Sequence, residues 1–283
     1  MKNKTFYSNG KLLISGEYIV LDGAKSLAIP TKYGQYLIVE PIEENRLFWK
    51  SFDEQNKLWY QGEFSIKDNS IECFDANEVS QRLVQILKAA KKANPEFLSG
   101  QQGFKITTQL DFPTNWGLGT SSTLLNNIAQ WANIDAYKLL EKTFGGSAYD
   151  IACAQHNTPI IYQIKNNSPL VNPITFNPIF KNHLYFVHLN KKQNSRAGIK
   201  HYKTNKQNTK SSIKLINAIT SKMIRSNTLE DFDNLIVEHE KIIAKITKQT
   251  PVKDALFNDY SGSIKSLGAW GGDFILVTSK NNP

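Results

Sequence analysis

Apolar and polar positions alternate through much of the first third of the chain, and this predicts strands. Residues 26–40 hold two apolar stretches, Leu27 to Ile29 and Tyr36 to Val39, with a turn expected at Gly34 between them. Residues 46–50 and 57–64 are rich in aromatics and alternate in part, as in a meander. The period changes over 77–93, where Val79, Leu83, Ile86, Leu87 and Ala90 fall on one helical stripe. Alternation returns from Gly103 to Asp111 and predicts a further strand. A loop at 113–122 then feeds a helix striped by Leu124, Leu125, Ile128, Ala129 and Ala132. A second helix is expected over 135–143, with Asp135 as its N-cap. Gly145 and Gly146 break the chain before a short helix near Asp150, and residues 159–164 read as a strand.

Asn and Pro crowd residues 166–182, which places a domain boundary there and divides the chain into 1–172 and 173–283. A strand is expected at 184–189, followed by a basic loop. Two helical patterns follow, at 209–225 and 228–248. In the second, Leu229, Phe232, Leu235, Ile236, His239 and Ile243 share a face. The turn Gly268 to Gly272 leads into a strand from Phe274 to Thr278.

Composition narrows the class. The two cysteines, Cys73 and Cys153, give neither a disulfide framework nor zinc-type spacing. No apolar run approaches the roughly 20 residues that cross a bilayer, and the first residues lack the apolar stretch of a secretory signal. A cytoplasmic protein is expected. The net charge of +9 is concentrated: no Asp or Glu occurs between Asp150 and Glu230. Lys191, Lys192, Arg196, Lys200, Lys203, Lys206, Lys210 and Lys214 fall in one stretch. Two readings stand for this block, a solvated basic loop or a site for an anionic substrate. Nucleic acid fits it less well, because Tyr202 is the one aromatic in the block available to stack on bases.

Three segments could carry chemistry. The first runs from Ser8 to Gly23, where glycines at 10, 16 and 23 allow close backbone approach and Lys11 and Glu17 carry charge. The second is Gly117, Leu118, Gly119, Thr120, Ser121 and Ser122 at an expected helix start. Converging N–H groups and the helix dipole there make a cradle for phosphate oxygens. An ordinary capped helix would look the same. It is not a Walker A loop, since no Gly-Lys-Ser/Thr follows at the required spacing. The third is Gly268, Ala269, Trp270, Gly271, Gly272 and Asp273, a costly density of glycine unless a ligand meets backbone. Asp150, just beyond a glycine break, could orient or deprotonate an attacking hydroxyl, or could simply be an N-cap.

Taken in order, the segments resemble the motifs of the GHMP kinase superfamily. The first is similar to Pro-Gly-Lys…Gly-Glu-(His/Tyr)-x-Val…Gly, the second to Pro-x-x-x-Gly-Leu-Gly-Ser-Ser-Ala, and the third to Gly-Ala-Gly-Gly-Gly. The run Tyr149, Asp150, Ile151, Ala152 resembles the mevalonate-type members and a bacterial subgroup named for Gly-Tyr-Asp-Ile-Ala. The resemblance implies a two-domain α+β fold, with an N-terminal domain like ribosomal protein S5 domain 2 and a ferredoxin-like C-terminal domain. It places the active site in the cleft between them. By position it implies that Gly117 to Ser122 wrap the phosphates of ATP, with Ser121 and Glu141 holding Mg²⁺. Asp150 would be the catalytic base, with Lys11 paired to it. Glu17, Ser195, Arg196, Gly268, Ala269, Gly271 and Gly272 would face the substrate. The acceptor implied is a small acidic metabolite, mevalonate or phosphomevalonate foremost, and the resemblance allows a homodimer. Diphosphomevalonate decarboxylase chemistry and a non-catalytic ligand- or RNA-binding homologue are the alternatives. The chain departs from the pattern at Asn9, Thr120, Ser122, Ala148, Trp270 and Asp273. Trp270 is expected to narrow the cleft and Asp273 to bring negative charge to it.

Overall fold

Strand-forming alternation in the first third becomes a mixed sheet, seen in a computed structural model that describes residues 2–67, 70–75 and 77–281. The fold is α+β, as expected. Its strands are β1 (Lys4–Leu13), β2 (Ser26–Ile42), β3 (Arg46–Phe52), β4 (Leu58–Lys67), β5 (Ser70–Cys73) and β6 (Gly103–Leu110), then β7 (Ile160–Lys165), β8 (Ser168–Pro173), β9 (Leu184–His188), β10 (Ile264–Ser266) and β11 (Phe274–Thr278). The helices are α1 (Glu78–Ala93), α2 (Thr120–Ala132), α3 (Ala136–Thr143), α4 (Tyr149–Ala154), α5 (Ser195–Asn205), α6 (Lys210–Arg225), α7 (Leu229–Thr247) and α8 (Val252–Leu256). The chain divides into two compact units. One comprises Met1–Gly10, Thr31–Thr114 and Leu118–Gln155; the other comprises Lys11–Pro30, Asn115–Gly117 and His156–Pro283.

In the first unit the sheet runs β5-β4-β3-β6-β2, and β1 pairs with β2. The β3–β6 pair is parallel, whereas β2–β6, β3–β4 and β4–β5 are antiparallel. Alternation buries Leu37, Val39, Leu47, Trp49, Phe64 and Ile106 on one face. The α1 stripe of Leu83, Ile86, Leu87 and Ala90 packs there, together with Leu125, Ile128 and Ile151. Each such buried aliphatic or aromatic side chain contributes about 1.5–3 kcal/mol. The turn expected at Gly34 does not form, because β2 continues through it. A Cβ at Gly34 would fall 2.2 Å from Ser8 O and 2.6 Å from the Tyr7 ring, so glycine there admits the neighbouring strand instead of reversing the chain.

In the second unit Ser26–Ala28 of β2 pairs with β7, and β7 forms a hairpin with β8. The link is Asn166-Asn167, both at positive φ (52° and 58°), a two-residue turn whose twist matches antiparallel strands. The Asn- and Pro-rich stretch read as a domain boundary therefore begins with a strand of this hairpin. A separate antiparallel sheet runs β10-β11-β9. Helices α6 and α7 bury Ile216, Ile219 and Met223, and Phe232, Ile236 and Ile243, respectively. The expected basic loop is partly helical: α5 forms inside it, with Asn194 accepting from the N–H groups of Arg196 and Ala197.

Candidate functional site

The glycine-serine loop begins with Gly117 at φ 66° and Gly119 at φ 99°, a backbone that side chains resist. Gly119 occupies the N-cap of α2 and no side chain caps the helix. The hydroxyls that could have done so are turned back on the chain. Ser122 Oγ donates to Gly119 O at 2.8 Å, and Thr123 Oγ1 lies 3.0 Å from Thr120 O. The Ser121 side chain stays exposed at the first turn. An uncapped helix start flanked by left-handed glycines offers N–H donors to an anion.

Behind this turn, the first unit holds α2 by a buried polar network that the sequence reading missed. Thr123 Oγ1 lies 2.7 Å from Gln35 Oε1, and Asn127 Nδ2 donates to Gln35 O at 2.8 Å. Ser8 Oγ donates to Asn127 Oδ1 at 2.7 Å, and Asn126 Nδ2 donates to Ser8 Oγ at 2.8 Å. Asn126 Oδ1 accepts from Gln155 Nε2 at 3.0 Å. Gln155 is the C-cap of α4, the helix that carries Asp150 in its first turn. Asn126 thus ties the helix of the glycine loop to the helix of Asp150. Ala148 caps α4 in the left-handed region at φ 64°, which is strained for a residue with a Cβ. Glu141 sits exposed on α3.

Asn115 to Gly117 belong to the second unit and are held within it. Lys11 Nζ donates to Gly117 O at 2.9 Å, so the lysine of the first segment meets the glycine of the second. Trp116 packs edge-on against Phe274 at 5.5 Å between ring centroids, and His188 Nε2 lies 3.3 Å from Asn115 O. The third segment takes part as well. A Cβ on Gly117 would fall 2.4–2.7 Å from the Asp273 carboxyl atoms. Asp273 N donates to Lys191 O at 2.6 Å, its carbonyl accepts from Leu189 N at 2.8 Å, and Oδ1 accepts from Gln193 N at 3.2 Å. Gly268, Trp270, Gly271 and Asp273 all have positive φ. Trp270 is buried, with the residue 3 % exposed.

Glu17 requires a correction. It was expected to face substrate, but it is fully buried, with Oε1 2.5 Å from Lys265 Nζ. Lys265 also reaches Glu240 Oε1 at 3.2 Å and Ser266 O at 2.8 Å. Glu240 Oε2 accepts from Ser266 N and Ser266 Oγ. His239 Nε2 accepts from Gly16 N at 2.9 Å, which fixes the ring as neutral at that nitrogen. Burial pushes Glu17 up to about 7 despite the Lys265 charge, and it drives His239 well below its ordinary value, with the Lys265 charge adding to this. The carboxylate therefore braces the turn after Lys11 from within. Its partners lie more than two hundred residues away, which is why sequence position alone could not reveal its burial.

Ser195 and Arg196 are exposed at the first turn of α5. That helix is anchored by Asp22, whose carboxylate accepts from Tyr202 Oη (2.6 Å), Lys206 Nζ (2.5 Å) and Thr209 Oγ1 (3.2 Å). Burial opposes ionisation of Asp22, but these bonds and the Lys206 charge hold its carboxyl below the usual range. Tyr18 stacks on Tyr202 at 5.6 Å.

Among the described residues no group of three or more His, Cys, Asp or Glu side chains could cage a metal. No described helix is long and apolar enough to cross a membrane.

No protein-family model matches the sequence, and no curated protein matches it. Solved structures do. The mevalonate kinase of Methanococcus jannaschii matches with a TM-score of 0.70 and 16% identity, over 99% of this chain and 92% of that one. The phosphomevalonate kinase of Streptococcus pneumoniae, complexed with phosphomevalonate and AMPPNP, gives 0.69 and 14%, over 99% and 93%. The galactokinase of Lactococcus lactis, complexed with galactose, gives 0.68 and 13%, over 98% and 85%. The fold is thus the GHMP kinase fold that the sequence motifs imply.

Proposed function

We propose that this protein is an ATP-dependent kinase that transfers the γ-phosphoryl group to a hydroxyl or phosphate of a small acidic metabolite, mevalonate or phosphomevalonate foremost. The observation that carries this reading is the bond from Lys11 Nζ to Gly117 O, at the mouth of an uncapped, glycine-led helix start. A cation and a set of free backbone donors at one turn suit a polyphosphate. The solved structures of this fold are in accord, since they include kinases complexed with phosphomevalonate and with galactose. The basic block around α5 favours an anionic acceptor over a neutral sugar.

In this reading Gly117 to Ser122 receive the phosphates through backbone N–H groups. Ser121 and Glu141 would hold Mg²⁺, which when bound neutralises charge on the triphosphate. Asp150 removes the proton as the acceptor hydroxyl oxygen bonds to the γ-phosphorus and the bond to ADP breaks. An acceptor phosphate needs no such proton removal, and Asp150 then only orients it. Lys11 offsets the charge that builds on the transferred oxygens. Gly268, Ala269, Gly271 and Gly272 let backbone approach the acceptor, and Ser195 and Arg196 at the start of α5 hold its anionic group.

A coupled ADP-release screen over hydroxy acids, sugars and their monophosphates tests this. Acceptor-dependent ADP release with at least one acid is expected, and Asp150→Asn should lower it by about 10²–10⁴-fold. Full activity in Asp150→Asn would remove the base assignment. Salt-sensitive RNA retention without any ADP release would overturn the kinase reading.

A further inference from the structure

We infer that Asp273 is a metal-recruiting carboxylate of the nucleotide site; the inference rests on the kinase reading above. Three observations meet at this residue. Its carboxyl group lies against Gly117, where a Cβ would come within 2.4–2.7 Å of it. The same glycine's carbonyl accepts from Lys11. Asp273 itself stands at φ 51° in a turn where Gly268 and Gly271 are also left-handed, a conformation that aspartate tolerates better than most side chains and that fixes where its carboxyl group projects.

A lone carboxylate beside a phosphate-binding turn repels the ligand the turn is shaped for, unless a cation joins the two. Mg²⁺ is the ion that takes one or two carboxylates together with phosphate oxygens, and it keeps water in its remaining positions. Oδ1 is occupied in part by the Gln193 N–H at 3.2 Å. That bond holds the carboxyl group in place, and Oδ2 takes no part in it, although both oxygens lie against Gly117, 2.5 and 2.7 Å from where its Cβ would be. Asp273 would therefore make nucleotide binding depend on the divalent ion more steeply than a glycine there would. It touches no reacting atom, so it acts on binding rather than as a base.

The test titrates AMPPNP into the full chain, with EDTA and then with Mg²⁺, following tryptophan fluorescence; Trp116, next to Gly117, is the reporter. The wild-type protein should bind about tenfold or more tightly with Mg²⁺. In Asp273→Asn, which keeps the acceptor for Gln193, that gain should fall below about threefold, with metal-free binding unchanged or tighter. With Mn²⁺ in place of Mg²⁺, the free-ion paramagnetic signal should disappear at lower protein concentration for wild type than for the variant. Equal metal dependence in the two proteins overturns the inference while leaving the kinase reading intact. Equal tightening of Asp273→Asn with and without metal also overturns it, since the carboxylate is then merely repulsive. No AMPPNP binding by wild type sinks both. If Asp273→Asn fails to fold, Asp273→Gly, which suits φ 51°, decides by the same criteria.

Discussion

Glu17 offers a prediction whose size follows from its surroundings. Its side chain is wholly buried and its carboxyl is raised from 4.5 to about 7, because burial outweighs the pull of Lys265. A folded-state value above the unfolded one means that the folded protein holds a proton the unfolded chain has released. The associated stability is complete below about pH 4.5 and is lost as pH rises through about 7. A shift of this size corresponds to about 3 kcal/mol at 1.36 kcal/mol per pH unit. Glu17→Gln abolishes the titration but keeps an oxygen for Lys265. Urea denaturation of both proteins from pH 4.5 to 8 therefore gives a difference in unfolding free energy that other groups leave largely unchanged. It should move in favour of the variant by about 3 kcal/mol across that range. A flat difference, or one moving the opposite way, would show that Glu17 is a normally ionised partner of Lys265 and refute the reasoning.

His239 should behave with the opposite sign. Held neutral well below its ordinary value, it contributes stability above about pH 6.5 that is lost as pH falls. Denaturation of His239→Gln, whose amide oxygen can still accept from Gly16, should show the variant gaining on wild type below pH 6.5. Ala148→Gly relieves a left-handed residue and should raise stability by about 1 kcal/mol, or roughly 2–4 °C in a thermal scan. An unchanged or lower Tm would place the strain elsewhere. Lys11→Met removes the bond to Gly117 O and should cut turnover by about 10²–10³-fold, with stability changed by no more than about 1 kcal/mol. Steady-state kinetics beside a denaturation curve separates the two.

The sequence made some of this legible and hid the rest for physical reasons. Local signals carried well: the α1 stripe, the Asp135 cap of α3 and the glycine pair at 117 and 119 depend only on neighbours in the chain. Gly34 was misread because a glycine that opens a turn and one that admits another strand look alike until the crossing strand is known. The β7–β8 hairpin was concealed by its Asn-Asn turn, since Asn-rich sequence also marks irregular linkers. Lys265, His239 and Asn126 could not be assigned, because their meaning lies in partners on remote elements. The burial of Glu17 is hidden for the same reason, since Lys265 reaches it from the far end of the chain.

Transfer of phosphate from ATP to an acidic acceptor is the claim on which the functional account rests. Phosphorus NMR of wild type with Mg²⁺, ATP and mevalonate or phosphomevalonate tests it most directly, with Asp150→Asn alongside. A new acceptor phosphate signal should grow in step with ADP, and with mevalonate, whose hydroxyl must lose its proton, the signal should be lost in the variant. ATP that is bound yet never passed to any hydroxy acid, sugar or monophosphate would contradict it.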